Sequence, residues 1–110
     1  MPYSVKEARL AYDIFMCLRE KLIKPVSTTD ILKQFPVSYT TALKVYKKVF
    51  KKTPHHHREL LKMELAKRLI HKGYPLKAVA MELGYQDPAN FIKMFKRITQ
   101  QPPSWYFPKQ

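Results

Sequence analysis

Residues 76–106, LKAVAMELGYQDPANFIKMFKRITQQPPSWY, decide the fold. Leu76, Val79, Ala80 and Leu83 stand at i, i+3, i+4 and i+7, the spacing that gathers four apolar side chains on one face of a helix. Gly84 ends that helix, because glycine enters the left-handed conformation without a Cβ clash. Asp87 then offers a carboxylate to the open N–H groups of a second helix, and Pro88 suits its first position. Phe91, Phe95 and Ile98 form the buried side of this helix, at i, i+4 and i+7. Ala89, Lys93, Lys96 and Arg97 come round to the opposite side, with Asn90 nearby. One face is core and the other is basic.

Upstream, Thr53 and Pro54 open a helix expected over 54–72, before Gly73. Leu60, Leu61, Met63, Leu65, Ala66, Leu69 and Ile70 make it apolar on more than one face, so it should be buried on more than one side. About nineteen residues at roughly 1.5 Å each give a rod of roughly 28 Å, near one DNA turn of roughly 34–36 Å. It reads as a spine joining two lobes. His55, His56 and His57 at its start invite a metal reading, but consecutive helical residues diverge by about 100° and do not converge on one ion as i and i+4 residues do. Neither a metal nor a cofactor is expected.

Further upstream, residues 5–23 carry Ala8, Tyr12, Phe15, Leu18 and Leu22 at three- and four-residue steps. They predict one amphipathic helix, ended by Lys24-Pro25, since the residue before proline is pushed out of helical geometry. It is expected to pack on its own lobe, with a dimer contact as the alternative. Residues 28–35 predict a short helix presenting Ile31, Leu32 and Phe35. Pro36-Val37 then turn the chain, and Ser38 caps a third helix at about 39–50. Its buried stripe is Ala42, Val45, Tyr46 and Val49, which turns Thr40, Lys44, Lys47 and Lys48 outward.

Among the 110 residues, 21 are Lys or Arg and 8 are Asp or Glu, a formal charge of +13. No acidic residue lies between Asp30 and Glu59, while residues 44–52 hold five lysines. That balance points to a polyanionic partner, nucleic acid before membrane, and the lysine run to phosphate contact. The longest uninterrupted apolar run, residues 14–18, is far too short to span a bilayer. No signal peptide is legible, and the single Cys17 excludes an internal disulfide and suits a reducing cytoplasm. Cys17 reads as a small buried apolar residue. Ser4, Ser27, Ser38 and Ser104 lack a nucleophile setting, and no catalytic constellation stands out.

The wording of the decisive stretch is more specific than its outline. Leu76-x-x-Val79-Ala80-x-x-Leu83-Gly84-Tyr85-x-Asp87-x-x-x-Phe91-x-x-x-Phe95-Lys96-Arg97, followed by Pro103-x-x-Tyr106, closely resembles the second helix-turn-helix of the AraC/XylS family of bacterial transcription regulators. It departs at Gln100, where the family usually has glycine, and at Phe107, where a basic residue is common. Residues 28–50 look like the family's first reading unit in altered form, with Leu32 for alanine, Pro36 for the turn glycine and Ala42 for leucine. The first and last exchanges compensate in volume if the two side chains face each other. His57 falls where the family often has a packed tyrosine.

The resemblance implies an all-α, homeodomain-like architecture of two helix-turn-helix lobes: residues 1–53, a linker helix over 54–72, and residues 73–110, together one DNA-binding domain. Its implied function is sequence-specific binding of double-stranded DNA in transcription regulation, in the bacterial cytoplasm at the nucleoid, through recognition helices at about 39–50 and 88–98. Thr40, Thr41, Lys44, Gln86, Ala89, Asn90 and Lys93 are the candidates for facing base edges. Ser38, Lys47, Lys48, Lys51, Lys96 and Arg97 are the candidates for phosphate. Trp105 and Tyr106 are expected to pack beneath the second lobe, with base stacking as the alternative. Some family members touch RNA polymerase, and most carry a separate effector domain, so this chain either acts alone, as a monomer, or belongs to a longer one. The competing reading is a non-specific nucleoid or RNA-associated basic protein.

Overall fold

The computed structural model describes residues 2–108 and, within them, contains only helices and their connections. The elements are α1 (Val5–Glu20), α2 (Thr28–Lys33), α3 (Tyr39–Phe50), α4 (Pro54–His71), α5 (Leu76–Glu82), α6 (Pro88–Thr99) and a terminal 3-10 turn, Pro103–Tyr106. The chain divides into two compact lobes between Glu59 and Leu60, inside α4.

The first lobe packs α1, α2 and α3 around Ala11, Ile14, Leu18, Ile31, Leu32, Ala42, Val45 and Tyr46. α1 starts with a capping box: Ser4 Oγ accepts from the Glu7 amide, and Glu7 Oε1 accepts from the Ser4 amide, both at 3.0 Å. This satisfies two donors that the first turn leaves open. The buried stripe of α1 is Ala11, Ile14 and Leu18, so the expected set of Ala8, Tyr12, Phe15, Leu18 and Leu22 holds only at Leu18 as fully buried. Tyr12 is 54% exposed. It is drawn to the rim by a ring contact with Phe50, centroids 5.0 Å apart.

α1 also stops at Glu20, three residues short of the expected end at Ile23. Arg58, buried at the start of α4, explains the early stop. Its Nη2 donates to Lys21 O at 2.7 Å and Lys24 O at 3.3 Å, and its Nη1 to Val26 O at 2.7 Å and Thr28 Oγ1 at 3.3 Å. A cation at a helix C-terminus meets carbonyls that have no partner in the ladder and the negative end of the dipole. α2 is shorter than expected as well, ending at Lys33, and Phe35 packs from the turn that follows.

The second lobe is built on Met63, Ala66, Ile70, Val79, Ala80, Leu83, Phe91 and Phe95. Gly73 and Gly84 take φ of 96° and 90°, the left-handed geometry that stops α4 and α5. Gln100 performs the same task after α6 with φ 66°, without being glycine. Its Nε2 donates to Arg97 O at 3.0 Å, which offsets part of the left-handed cost of about 1–2 kcal/mol.

Tyr106 docks as expected, edge-on to Phe95 with centroids 5.5 Å apart and Lys67 Nζ 5.4 Å from its own ring centre. Trp105 does not: it is 68% exposed. In a 3-10 turn, residues three apart eclipse, so Pro103 and Tyr106 face the lobe together and the intervening Trp105 is turned away.

Leu32 and Ala42 are both fully buried in the first-lobe cluster. Ala42→Leu alone is expected to cost about 1–3 kcal/mol by overpacking, and adding Leu32→Ala to recover much of it. Denaturant melts of the two single variants and the double one measure the coupling; strictly additive losses would sink the pairing.

Candidate nucleic-acid interface

α3 and α6 are built to one plan. Each has 12 residues and starts after a side-chain cap: Ser38 Oγ accepts from the Thr41 amide at 3.1 Å, and Asp87 Oδ1 from the Ala89 amide at 2.9 Å. Each ends in a left-handed residue other than glycine, Lys51 at φ 63° and Gln100 at φ 66°. The fourth and eighth positions are core in both, Ala42 and Tyr46 in α3 and Phe91 and Phe95 in α6. Two steps of about 100° from either lead to the sixth position, which therefore stands nearly opposite the core. Lys44 and Lys93 occupy it.

The second, third, ninth and tenth positions fill out the same outer surface. They are Thr40, Thr41, Lys47 and Lys48 in α3, and Ala89, Asn90, Lys96 and Arg97 in α6, all exposed. Ser38, Lys51 and Gln86 are exposed beside them. The sequence-derived candidates thus fall on two surfaces, one in each lobe.

Three of these side chains are engaged within the protein. The Ser38 hydroxyl donates to Thr41 Oγ1 at 2.8 Å, which leaves Thr41 with a hydroxyl hydrogen to give outward. Lys48 Nζ lies 2.7 Å from Glu7 Oε2. The Lys48 hydrogen bond, foremost, and the Ser4 amide hold the Glu7 carboxyl below the usual range. Glu7 is therefore part of the basic surface, a role that spacing in α1 alone does not signal.

Sequence reading also passed over a cleft on one flank of α6. Tyr85 and Met94 form its apolar wall, and Asn90, Lys93 and Arg97 its polar one, around about 440 Å³. The Tyr85 ring leans on Phe91, centroids 5.5 Å apart. Apolar surface beside donors is what a thymine methyl next to a hydrogen-bonding base edge requires.

His57 belongs to the packing behind α3. Its Nδ1 is 2.6 Å from the Tyr46 hydroxyl, and its ring stacks on Phe15 with centroids 5.2 Å apart and lies 5.3 Å from Phe50. Tyr46 is fully buried, and burial raises its pKa, so it stays a neutral phenol hydrogen-bonded to the imidazole. Burial lowers the His57 pKa, with Lys52 and His56 adding like-charge repulsion. His55 and His56 are exposed. Among the described residues no group of three or more His, Cys, Asp or Glu is placed to hold a metal ion, and no helix is long and apolar enough to cross a membrane.

A family profile described as a helix-turn-helix domain matches residues 31–109. The chain belongs to this family, the AraC-type helix-turn-helix domains, which are DNA-binding transcription regulators and not an enzyme family. Comparison with curated proteins and with solved structures gives no match.

Because the folded pKa of His57 lies below its ordinary 6.5, the unfolded chain binds the extra proton first as pH falls. The stability it contributes is complete above about pH 6.5 and is lost as pH drops through the folded value. Thermal melts between pH 7 and pH 5 should show a falling midpoint, and His57→Phe a flatter dependence; Glu7 acts only below its own ordinary value of 4.5. Zinc should leave the midpoint unchanged, for want of a convergent site. A zinc-dependent rise abolished by replacing His55, His56 and His57 with alanine would overturn that expectation.

Proposed function

We propose that the protein is a sequence-specific regulator that places α3 and α6 each in a DNA major groove, in the bacterial cytoplasm at the nucleoid. The observation that carries this reading is the shared register of the two helices. In each, the sixth-position lysine stands opposite the core, with small or amide-bearing side chains one turn earlier and cations one turn later. A lysine so placed reaches guanine O6 and N7, and asparagine pairs with adenine N6 and N7. Thr40, Thr41, Lys44, Gln86, Ala89, Asn90 and Lys93 face base edges in this reading. Lys47, Lys48, Lys51, Lys96 and Arg97 meet phosphates, and Ser38 supports them by fixing Thr41.

The charge of +13 favours a second reading, non-specific binding to DNA or RNA. Specific binding survives random competitor DNA and non-specific binding does not.

Lys93→Ala should cost about 1–3 kcal/mol on the best site and much less on random DNA, as removal of a base-reading side chain does. Lys47→Ala with Lys48→Ala should weaken selected and random duplexes alike, and flatten the slope of log affinity against log salt by about 0.9 for each phosphate no longer neutralised. Lys48 already holds Glu7, so its single replacement should flatten the slope less than that of Lys47. Titration of duplexes selected from a random pool, and of scrambled ones, at several salt concentrations provides the comparison. Equal weakening of both duplexes by Lys93→Ala would refute base reading by α6.

A further inference from the structure

α1 carries an apolar stripe that its own lobe leaves exposed. Val5 is 82% exposed, Tyr12 54%, Met16 48% and Ile23, in the turn after the helix, 40%. Within the helix, separations of seven and four residues keep Val5, Tyr12 and Met16 within about 20° of one line at about 100° per residue, and Ile23 follows seven residues on in the turn. That line runs along the side of α1 away from Ala11, Ile14 and Leu18, with Tyr12 at its edge touching Phe50 of α3. α1 also lies outside the region matched by the family profile, residues 31–109.

The stripe has the same spacing read from either end. Such a surface is complementary to itself about a two-fold axis, the condition for an isologous interface. We propose that α1 docks antiparallel on α1 of a second copy of this chain, with the axis between Tyr12 and Met16.

Tyr12 of one chain then meets Met16 of the other, a sulfur–aromatic contact, and Val5 meets Ile23. Charge supports the same partner and the same orientation. A two-fold axis of this kind sets each flank of α1 against the same flank of its mate. Arg9 and Glu20, both exposed, lie on one flank at nearly equal distances either side of the midpoint. Each Arg9 is thereby placed beside the opposing Glu20, whereas a parallel copy would leave the two about eleven residues apart along the helix. Asp13 lies farther round the same flank, one residue from the midpoint, so the two Asp13 carboxylates approach each other there, each with its own Arg9 one turn away. On the other flank Arg19 is folded over Phe15, 5.7 Å from the ring centre, and faces no cation across the axis.

Tyr12 is already oriented by Phe50 in the single chain, so little side-chain ordering is needed on docking. A helix of 16 residues is about 24 Å long, so the contact falls at the small end of specific interfaces and the dimer is weak.

Sedimentation equilibrium of the full chain without DNA, up to about 1 mM, tests this independently of any DNA reading. A monomer–dimer equilibrium is expected, weakened more than tenfold by Met16→Asp, which would bury an unpaired charge. Arg9→Glu and Glu20→Arg should each weaken it about two- to fivefold, and the double variant should restore it, because the exchanged pair still matches across the axis. Circular dichroism melts check that each variant is folded, and Met16→Lys replaces Met16→Asp should that one fail. A mass that stays monomeric throughout, a dimer indifferent to Met16→Asp, or a double exchange no better than the singles would each overturn the proposal.

Discussion

Where a short helix begins decides which of its faces is dry. In α3 and α6 the first residue is set by the side-chain caps at Ser38 and Asp87. With the start fixed, the fourth and eighth positions point into the lobe and the sixth points out of it. A slip of one residue would turn each helix by about 100°. Tyr46 or Phe95 would come toward water, at about 1.5–3 kcal/mol of burial for each such ring, and a lysine would move toward the core. Cap and apolar stripe specify the same register independently, and agreement between levels is what singles out one structure. The outer surface has no determinant of its own. It is the remainder left when the core side is chosen.

That is why the two-lobed helical architecture and the candidate surface were legible in the sequence. Apolar spacing, glycine and proline punctuation and the caps are local signals, and they placed α3, α4, α5 and α6 within a residue or two. What was not legible depends on partners distant in the chain. The buried stripe of α1 is turned because Phe50 claims Tyr12 at the lobe's edge. The early end of α1 follows from Arg58, 37 residues beyond the Lys21 carbonyl it binds. Trp105 faces outward because the terminal turn is 3-10, whose three-residue period no apolar count over four residues reveals. The Ser4-x-x-Glu7 capping box, by contrast, is a local signal that the sequence reading missed.

Arg58 shows how a small lobe with few buried side chains closes its edge. The segment between α1 and α2 carries backbone carbonyls outside any helical ladder, and Lys21 O and Lys24 O accept there from the amides of Lys24 and Val26. One guanidinium answers Lys21, Lys24 and Val26 together. Its planar fork suits that geometry where an ammonium would not. The same side chain carries a cost, since its Nε has no hydrogen-bond partner and burial lowers its pKa. The cation is retained because several carbonyls share it.

The lysine surface of the first lobe stands in tension with its own fold. Between Asp30 and Glu59 no carboxylate interrupts it, and like charges on adjacent turns of α3 lie within a Debye length of about 8–10 Å. Self-repulsion on that scale opposes the compact state. Glu7 reaches in from α1, and it reaches Lys48, at the margin of the outer surface toward α1. Lys44 and Lys47, at the centre of that surface, stay exposed. Had the carboxylate met Lys44, it would have neutralised the position opposite the core and repelled an approaching phosphate there. Its actual place relieves repulsion at the edge of the helix and leaves the middle positive. The position of this compensating charge is thus as informative as the excess of cations, because solubility alone would be served equally well by a carboxylate at any of these positions.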